Sequence, residues 1–308
     1  MAKKEKLKSP LAMRQGVSAS RVWLPKKTDQ NWETILDFLQ QRFPFIPPDV
    51  LEERMQRGDI VNQEGIPFHR SSPYQGEMFL FYYREIPDEP KIPFKEKILF
   101  KNENIIVVDK PHFIPVTPTG RYVRESLLAR LKHHYQNEQI SPVHRLDRET
   151  AGIVIFTCNS KVRGIYQTLF QKRQVKKVYE AIAASSSLKF PITHRSRLVK
   201  GEPFFLMKEQ QGEINSETTL DVIETRGQLS KYQLKPVTGK QHQLRVHMMS
   251  LGIPILNDPF YPKLLPCKGE NYDKPLQLLA KSLEFSDPIS GELWNFCSLQ
   301  TLNLENAV

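Results

Sequence analysis

The stretch 141–156, SPVHRLDRETAGIVIF, sets a single carboxylate between two permanent cations. Asp147 follows Arg145 by two residues and directly precedes Arg148 in a turn-prone segment, and only then does the β-branched and aromatic run Ile153, Val154, Ile155, Phe156 begin. Such a run reads as a strand buried on both faces, with the carboxylate at its entrance. A carboxylate drawn into a dry pocket takes up a proton unless a cation stands against it. An acid among arginines can therefore stay ionised and serve as a nucleophile. By itself HRLDRET reads better as a solvated charged loop.

The elements that would position this segment follow from periodicity. Residues 99–108 read as an apolar strand ending at Asp109-Lys110-Pro111, and Pro115 and Pro118 keep the next loop extended. Val123, Leu127, Leu128 and Leu131 form one helix face that ends near His133 and His134; adjacent histidines on a helix point apart and make poor joint metal ligands. Val162, Ile165, Tyr166, Leu169 and Phe170 make a helical core stripe, capped by Asn159 or Ser160. Its exposed end, QKRQVKK at 171–177, carries charge suited to phosphate, and Tyr179 lies on a strand over 176–183. Strands over 218–224 and 230–236 join at Arg226-Gly227, and a helix over 241–251 closes at Gly252.

Upstream, residues 1–20 are Lys-rich and aperiodic, which predicts a mobile basic tail. Residues 21–83 read as a small α/β domain: a helix on Trp32, Ile35, Leu36, Leu39 and Phe43, a second around 50–57, then a hairpin with a turn over 62–65 and a strand over 77–83. The proline-rich, charged stretch 84–98 reads as a linker, leaving 99–308 as the catalytic domain. Strands and helices mix irregularly, so the expected class is α+β, with a mixed, largely antiparallel central sheet and flanking helices.

Charge narrows the partners. Among 308 residues, 44 Lys and Arg stand against 34 Asp and Glu, a formal +10 that favours a polyanion through counterion release. Apolar runs fall far short of the roughly 20 residues a membrane-spanning helix needs, and no secretory signal is read at the N-terminus. Three scattered cysteines, Cys158, Cys267 and Cys297, argue for neither a disulfide framework nor a zinc site and fit a reducing cytoplasm.

HRLD-x-x-T-x-G before an aliphatic strand resembles the signature of the RNA pseudouridine synthases of the large-subunit rRNA and tRNA type. Three further blocks resemble that family in the same order: IIVVDKPHFIPVTP at 105–118, KKVYEAIA at 176–183 and VTGKQHQLRVHMMSLGIPILND at 237–258. The chain departs from the family pattern at Ala151, where serine is common, at Lys240, where arginine is usual, and at Leu279, where histidine is frequent. The resemblance implies Asp147 as nucleophile, Arg245 as the cation that keeps it ionised, and Tyr179 as the residue that stacks on a flipped uracil and serves proton removal at carbon 5. His144 and Arg145 would hold the loop and guide the nucleotide, with Arg148, Arg163, Lys172, Arg173, Lys176, Lys177, Lys240 and His242 as further RNA contacts. The small N-terminal domain, with Arg54, Arg57 and Arg70, is similar to the RNA-binding domain shared with a small-subunit ribosomal protein. Isomerising uridine involves no redox change, so neither cofactor nor metal is expected; a monomer is expected, with a stem-loop of rRNA or tRNA as its partner. The rival readings are a catalytically silent RNA-binding or ribosome assembly factor on the same fold, and an RNA hydrolase using Asp147.

Overall fold

The computed structural model describes residues 8–27, 32–84, 89–266 and 271–305. It divides into two units, Met1–Glu89 with Ala129–Glu138 and Pro90–Leu128 with Gln139–Val308.

The first unit contains β1 (Ser20–Leu24), α1 (Ile35–Arg42), α2 (Pro48–Gln56), β2 (Ile60–Val61) and β3 (Met78–Tyr82), with an antiparallel sheet in the order β1-β3-β2. α1 starts where Thr34 Oγ1 accepts from the Asp37 amide and Asp37 Oδ2 accepts from the Thr34 amide at 2.8 Å, a reciprocal cap. α2 starts on Pro48, whose missing N–H costs nothing at a helix N-terminus. Leu24, Ile35, Leu39, Leu51, Met55, Ile60 and Leu80 close the core.

Two boundaries differ from the sequence reading. The tail expected over 1–20 is tied down from Ala12: the Tyr83 hydroxyl donates to the Ala12 carbonyl at 2.6 Å, Arg14 pairs with the buried Asp59 carboxylate, and Ser20 opens β1. A run of lysines reads as solvated, but this segment's one arginine has a buried acid to reach. Residues 1–7 lie outside the described residues. Of the linker expected over 84–98, residues 85–88 also lie outside them, and from Pro90 the chain belongs to the second unit. Ile92 is buried there with its amide donating to Glu125 Oε2 at 3.0 Å, and Phe94 stacks on Phe113. Pro90 and Pro93 hold the backbone extended while the apolar residues beside them dock.

The second unit carries the remaining strands: β4 (Lys97–Lys101), β5 (Ile105–Lys110), β6 (Ser141–Pro142), β7 (Ala151–Thr157), β8 (Lys176–Ala184), β9 (Ile192–Lys200), β10 (Met207–Gln210), β11 (Ser216–Arg226), β12 (Leu229–Pro236), β13 (Leu278–Ser286) and β14 (Leu293–Cys297). Its helices are α4 (Arg163–Gln171) and α5 (Gln243–Ser250); α3 (Leu127–Tyr135) falls mostly in the segment counted with the first unit. The sheet runs β10-β9-β11-β12-β8-β13-β7-β5-β4, with β14 beside β13 and β6 beside β7. Every pairing is antiparallel except β13 with β7. The α+β class with a mixed, largely antiparallel sheet therefore stands.

β5 and β7 are buried along their whole length, and Ile105, Val107, Ile153 and Ile155 pack with Tyr166 and Leu283. Each such aliphatic side chain contributes about 1.5–3 kcal/mol by leaving water. Gly152 lets β7 begin hard against β13: its φ is +110°, and a Cβ there would lie 2.2 Å from the Ala280 carbonyl oxygen. That approach fixes the strand start four residues after Asp147. α4 begins two or three residues later than expected, with Val162 at the N-cap and no side-chain cap; the Asn159 carboxamide accepts from the Lys161 amide instead. Among the described residues no helix is long and apolar enough to cross a membrane.

Candidate active site

Above this sheet a cleft of about 1580 Å³ is lined by residues from the 141–150 loop, α4, β8, the 236–242 turn, α5 and the 259–266 loop. That exceeds the ~300–1,000 Å³ usual for small-molecule pockets, so a nucleotide with its neighbours has room. Asp147, Tyr179 and Arg245, distant in sequence, all line it.

The loop that presents Asp147 is fastened from below. Lys110, fully buried at the end of β5, donates from Nζ to the carbonyls of Pro111, Ile114 and Arg148 at 2.9, 2.9 and 3.1 Å. Three carbonyls match the three protons of an ammonium group, although burial pulls this lysine down to about 7 against the charges of Glu149 and Asp147. Arg148 turns inward: Nε donates to the Phe113 carbonyl at 3.0 Å, Nη1 pairs with Glu149 and Nη2 reaches the Tyr122 hydroxyl. His144 stacks on Phe170 with ring centroids 4.4 Å apart, and its Nε2 accepts from the Ile155 amide at 3.2 Å. Burial, then the charge of Lys177, push His144 down to about 3, so it is a neutral acceptor that ties the loop to β7.

Arg245 holds the carboxylate from the other side. On α5 and 1% exposed, it sends Nε and Nη2 to the two oxygens of Asp258 at 2.8 and 2.6 Å and Nη1 to Asp147 Oδ2 at 3.0 Å. Phe260 lies against its face, 4.6 Å from guanidinium carbon to ring centroid. Asp258 is itself oriented by the Phe260 and Tyr261 amides. One planar fork thus spans two acids, with the buried one fixing the guanidinium and the accessible one left for chemistry. His242 precedes α5 in the left-handed region at φ +53°, with Nε2 3.8 Å from Asp147 Oδ2 and Nδ1 2.9 Å from the Tyr261 hydroxyl. Burial pushes the Asp147 carboxyl up, but His242, Arg245 and Lys110 together more than reverse this and hold it below its ordinary value. Burial lowers His242 as well, so the standing positive charge beside Asp147 is chiefly that of Arg245.

Tyr179 projects from β8, where it is paired with Leu234 and Ala280, and packs on the core cluster of Ala181, Tyr232 and Leu244. Burial, then the charge of Asp147, push its phenol above the usual tyrosine range. The expected RNA contacts divide. Arg145, Arg173 and Lys240 are exposed on the lining of the cleft, and Lys172 is exposed at the end of α4. Lys176 is exposed but paired with Glu284, and Lys177 is half-buried with Nζ on the Thr238 carbonyl at 3.0 Å. Arg163 donates to the Gln139 carbonyl. Arg148, Arg163 and Lys177 each donate to a protein carbonyl, and His242 is buried although it lines the cleft with Arg148 and Lys177.

Sequence reasoning missed Lys110 and Asp258. The signal for Lys110 was an apolar strand, IIVVDK, that continues into two charged residues before a proline; a buried strand end demands partners for them. Lys110→Met keeps the length of the side chain but orphans three carbonyls, so unfolding free energy should fall by about 2 kcal/mol or more in denaturant titration. Unchanged stability would mean that water or a shifted loop satisfies them.

The sequence model described as RNA pseudouridylate synthase matches residues 104–250. The chain is 33% identical over 172 residues to the human pseudouridylate synthase RPUSD2, covering 54% of this chain and 30% of that protein, so it spans about a third of that relative's length. It is 32% identical over 216 residues to the dual-specificity RNA pseudouridine synthase RluA of Vibrio vulnificus, covering 65% of this chain and 81% of that protein. Among solved structures, human RNA pseudouridylate synthase domain containing 4 superposes with a TM-score of 0.52 at 26% identity, over 68% of this chain and 89% of that one.

Proposed function

The chain belongs to the RNA pseudouridylate synthase family, and from that premise we propose that it isomerises uridine to pseudouridine in structured rRNA or tRNA, with Asp147 as nucleophile. The observation that carries the reading is one accessible, ionised carboxylate hydrogen-bonded to a buried arginine in a cleft that also holds a tyrosine ring. The reaction breaks the bond from C1′ to N1, turns the uracil, joins C1′ to C5 and removes the C5 proton while N1 takes one up, so that no proton is gained or lost overall. Asp147 stabilises the detached fragment covalently, and Arg245 keeps it anionic until it attacks and again when it leaves.

Tyr179 stacks on the flipped base. Its raised phenol stays protonated at neutral pH, so it does not act as a free phenolate. It takes the C5 proton while passing its own to Asp147, whose carboxylate is free again by that stage. Flipping the uridine costs least in a loop or beside a mismatch, which favours stem-loops. Arg145, Arg173 and Lys240, exposed around the cleft, meet the phosphates of the flanking nucleotides.

A hydrolytic reading fares worse. The other acids at the site are engaged, Asp258 by Arg245 and Glu149 by Arg148, so no second carboxylate among these is free to activate water. Mapping pseudouridines across total RNA with and without the gene tests the proposal: one or more sites should vanish, and an unchanged map would end it. Tyr179→Phe separates stacking from proton removal. RNA tritiated at carbon 5 of the target should bind this variant normally and release its label about 10²-fold or more slowly. Release at the wild-type rate would reduce the tyrosine to packing.

A further inference from the structure

On α5, two residues after Arg245, His247 points away from the catalytic cleft and meets His194 of β9 and Glu209 of β10. One ligand atom from each lies within 4.8 Å of the others, among the described residues a unique grouping of this kind. His194 Nε2 and Glu209 Oε1 are 2.8 Å apart, and the two imidazoles stand edge to face with centroids 4.7 Å apart. His247 is fully buried, whereas the His194 and Glu209 side chains are 21% and 26% exposed, which leaves an entry path from solvent.

We infer that His194, Glu209 and His247 form a binding site for a zinc-type divalent cation that ties β9 and β10 to α5. Two imidazoles and one carboxylate with an open fourth position are a donor set that zinc accepts, while magnesium and calcium favour all-oxygen sites.

The surroundings of His247 suit a ligand. Its Nδ1 lies 3.0 Å from Thr218 Oγ1, and its Nε2 lies 3.0 Å from Ser216 Oγ and 3.2 Å from Ser196 Oγ. The Ser216 hydroxyl already donates to the Ser196 carbonyl at 2.8 Å, so its proton is not available to Nε2. The Thr218 hydroxyl can donate to Nδ1 or accept from it. Metal binding at Nε2 therefore needs only one hydroxyl rotation and a change of tautomer, with Thr218 then orienting the ring as a backing acceptor.

Protonation suits it too. Burial, then the nearby His194, push His247 down to about 4. Burial raises the Glu209 carboxyl, but its bonds to His194 and Ser196 outweigh that and leave it below its usual value. Metal binding there would replace the hydrogen bond that now joins His194 Nε2 to Glu209 Oε1. A cation there would brace the helix that carries Arg245 without touching the reacting atoms.

The test uses the 308-residue chain, freed of metal with a chelator and titrated with zinc sulfate against a competing chromophoric chelator. Saturable binding of one zinc per chain and a higher melting temperature are expected. Glu209→Gln, nearly isosteric, and His194→Ala should each weaken binding about tenfold or more. Replacing Cys158, Cys267 and Cys297 with serine should leave binding intact. X-ray absorption of the wild-type complex should show nitrogen and oxygen ligands at about 2.0–2.2 Å and no sulfur at about 2.3 Å. No saturable binding, equal binding by Glu209→Gln, or loss of binding with the cysteines would overturn the inference.

Discussion

Asp147→Asn is expected to lower product formation by about 10³-fold or more while leaving RNA affinity nearly unchanged. The separation is sharp because the substitution leaves the scaffold in place. The loop is held through backbone atoms: Lys110 bonds the Arg148 carbonyl, and the Thr150 amide bonds the Asp147 carbonyl. A carboxamide oxygen at the same position can still accept from Arg245 Nη1, and Asp258 still neutralises the guanidinium, so no buried charge is stranded. What is lost is the ionised oxygen. Single-turnover release of tritium from carbon 5 reads the chemistry, and filter binding reads affinity. Release near the wild-type rate would show that Asp147 only orders the site. Parallel loss of binding would make it a recognition residue instead.

Asp147, Tyr179 and Arg245, which line one cleft, were legible through the resemblance of their short stretches to one family; by period alone Tyr179 reads as core and HRLDRET as a charged loop. The β-branched run 153–156 reads as a buried strand, but nothing local says what its charged entrance faces. Strands and turns near 218–236 and the α5 helix followed from period and glycine in the same way. Sheet order did not: β13 lies parallel to β7 although more than a hundred residues separate them, and nothing local encodes that pairing. The close approach at Gly152 that permits it is visible only when the partner carbonyl is in place. Charge was legible in sum and not in detail. The total of +10 said that a polyanion is welcome, yet Arg148, Arg163 and Lys177 meet internal carbonyls, and composition cannot tell a cation facing solvent from one facing a loop. Asp258 was invisible for the same reason, since its role is defined wholly by the arginine that reaches it.

That arginine gives the second large effect. Arg245→Lys keeps one positive charge but cannot grip both oxygens of Asp258 and also reach Asp147, because an ammonium lacks the planar fork and the reach. Activity should fall about 10²-fold or more, as when one preorganised donor to a reacting anion is removed. The decisive measurement is the pH dependence of single-turnover kcat/KM. In the wild-type protein the Asp147 carboxyl is held below its ordinary value, so activity is present above that value and disappears only as pH falls through the depressed one. Weakening the cation leaves burial less opposed, so the carboxyl rises and the acid limb must move to higher pH. Raising the pH should then recover part of the lost rate. His242 and Lys110 remain beside the carboxylate, which bounds the move without reversing its sign. If the rate falls uniformly and the acid limb stays where it was, Arg245 serves placement alone. A limb displaced to lower pH would contradict the electrostatic assignment altogether.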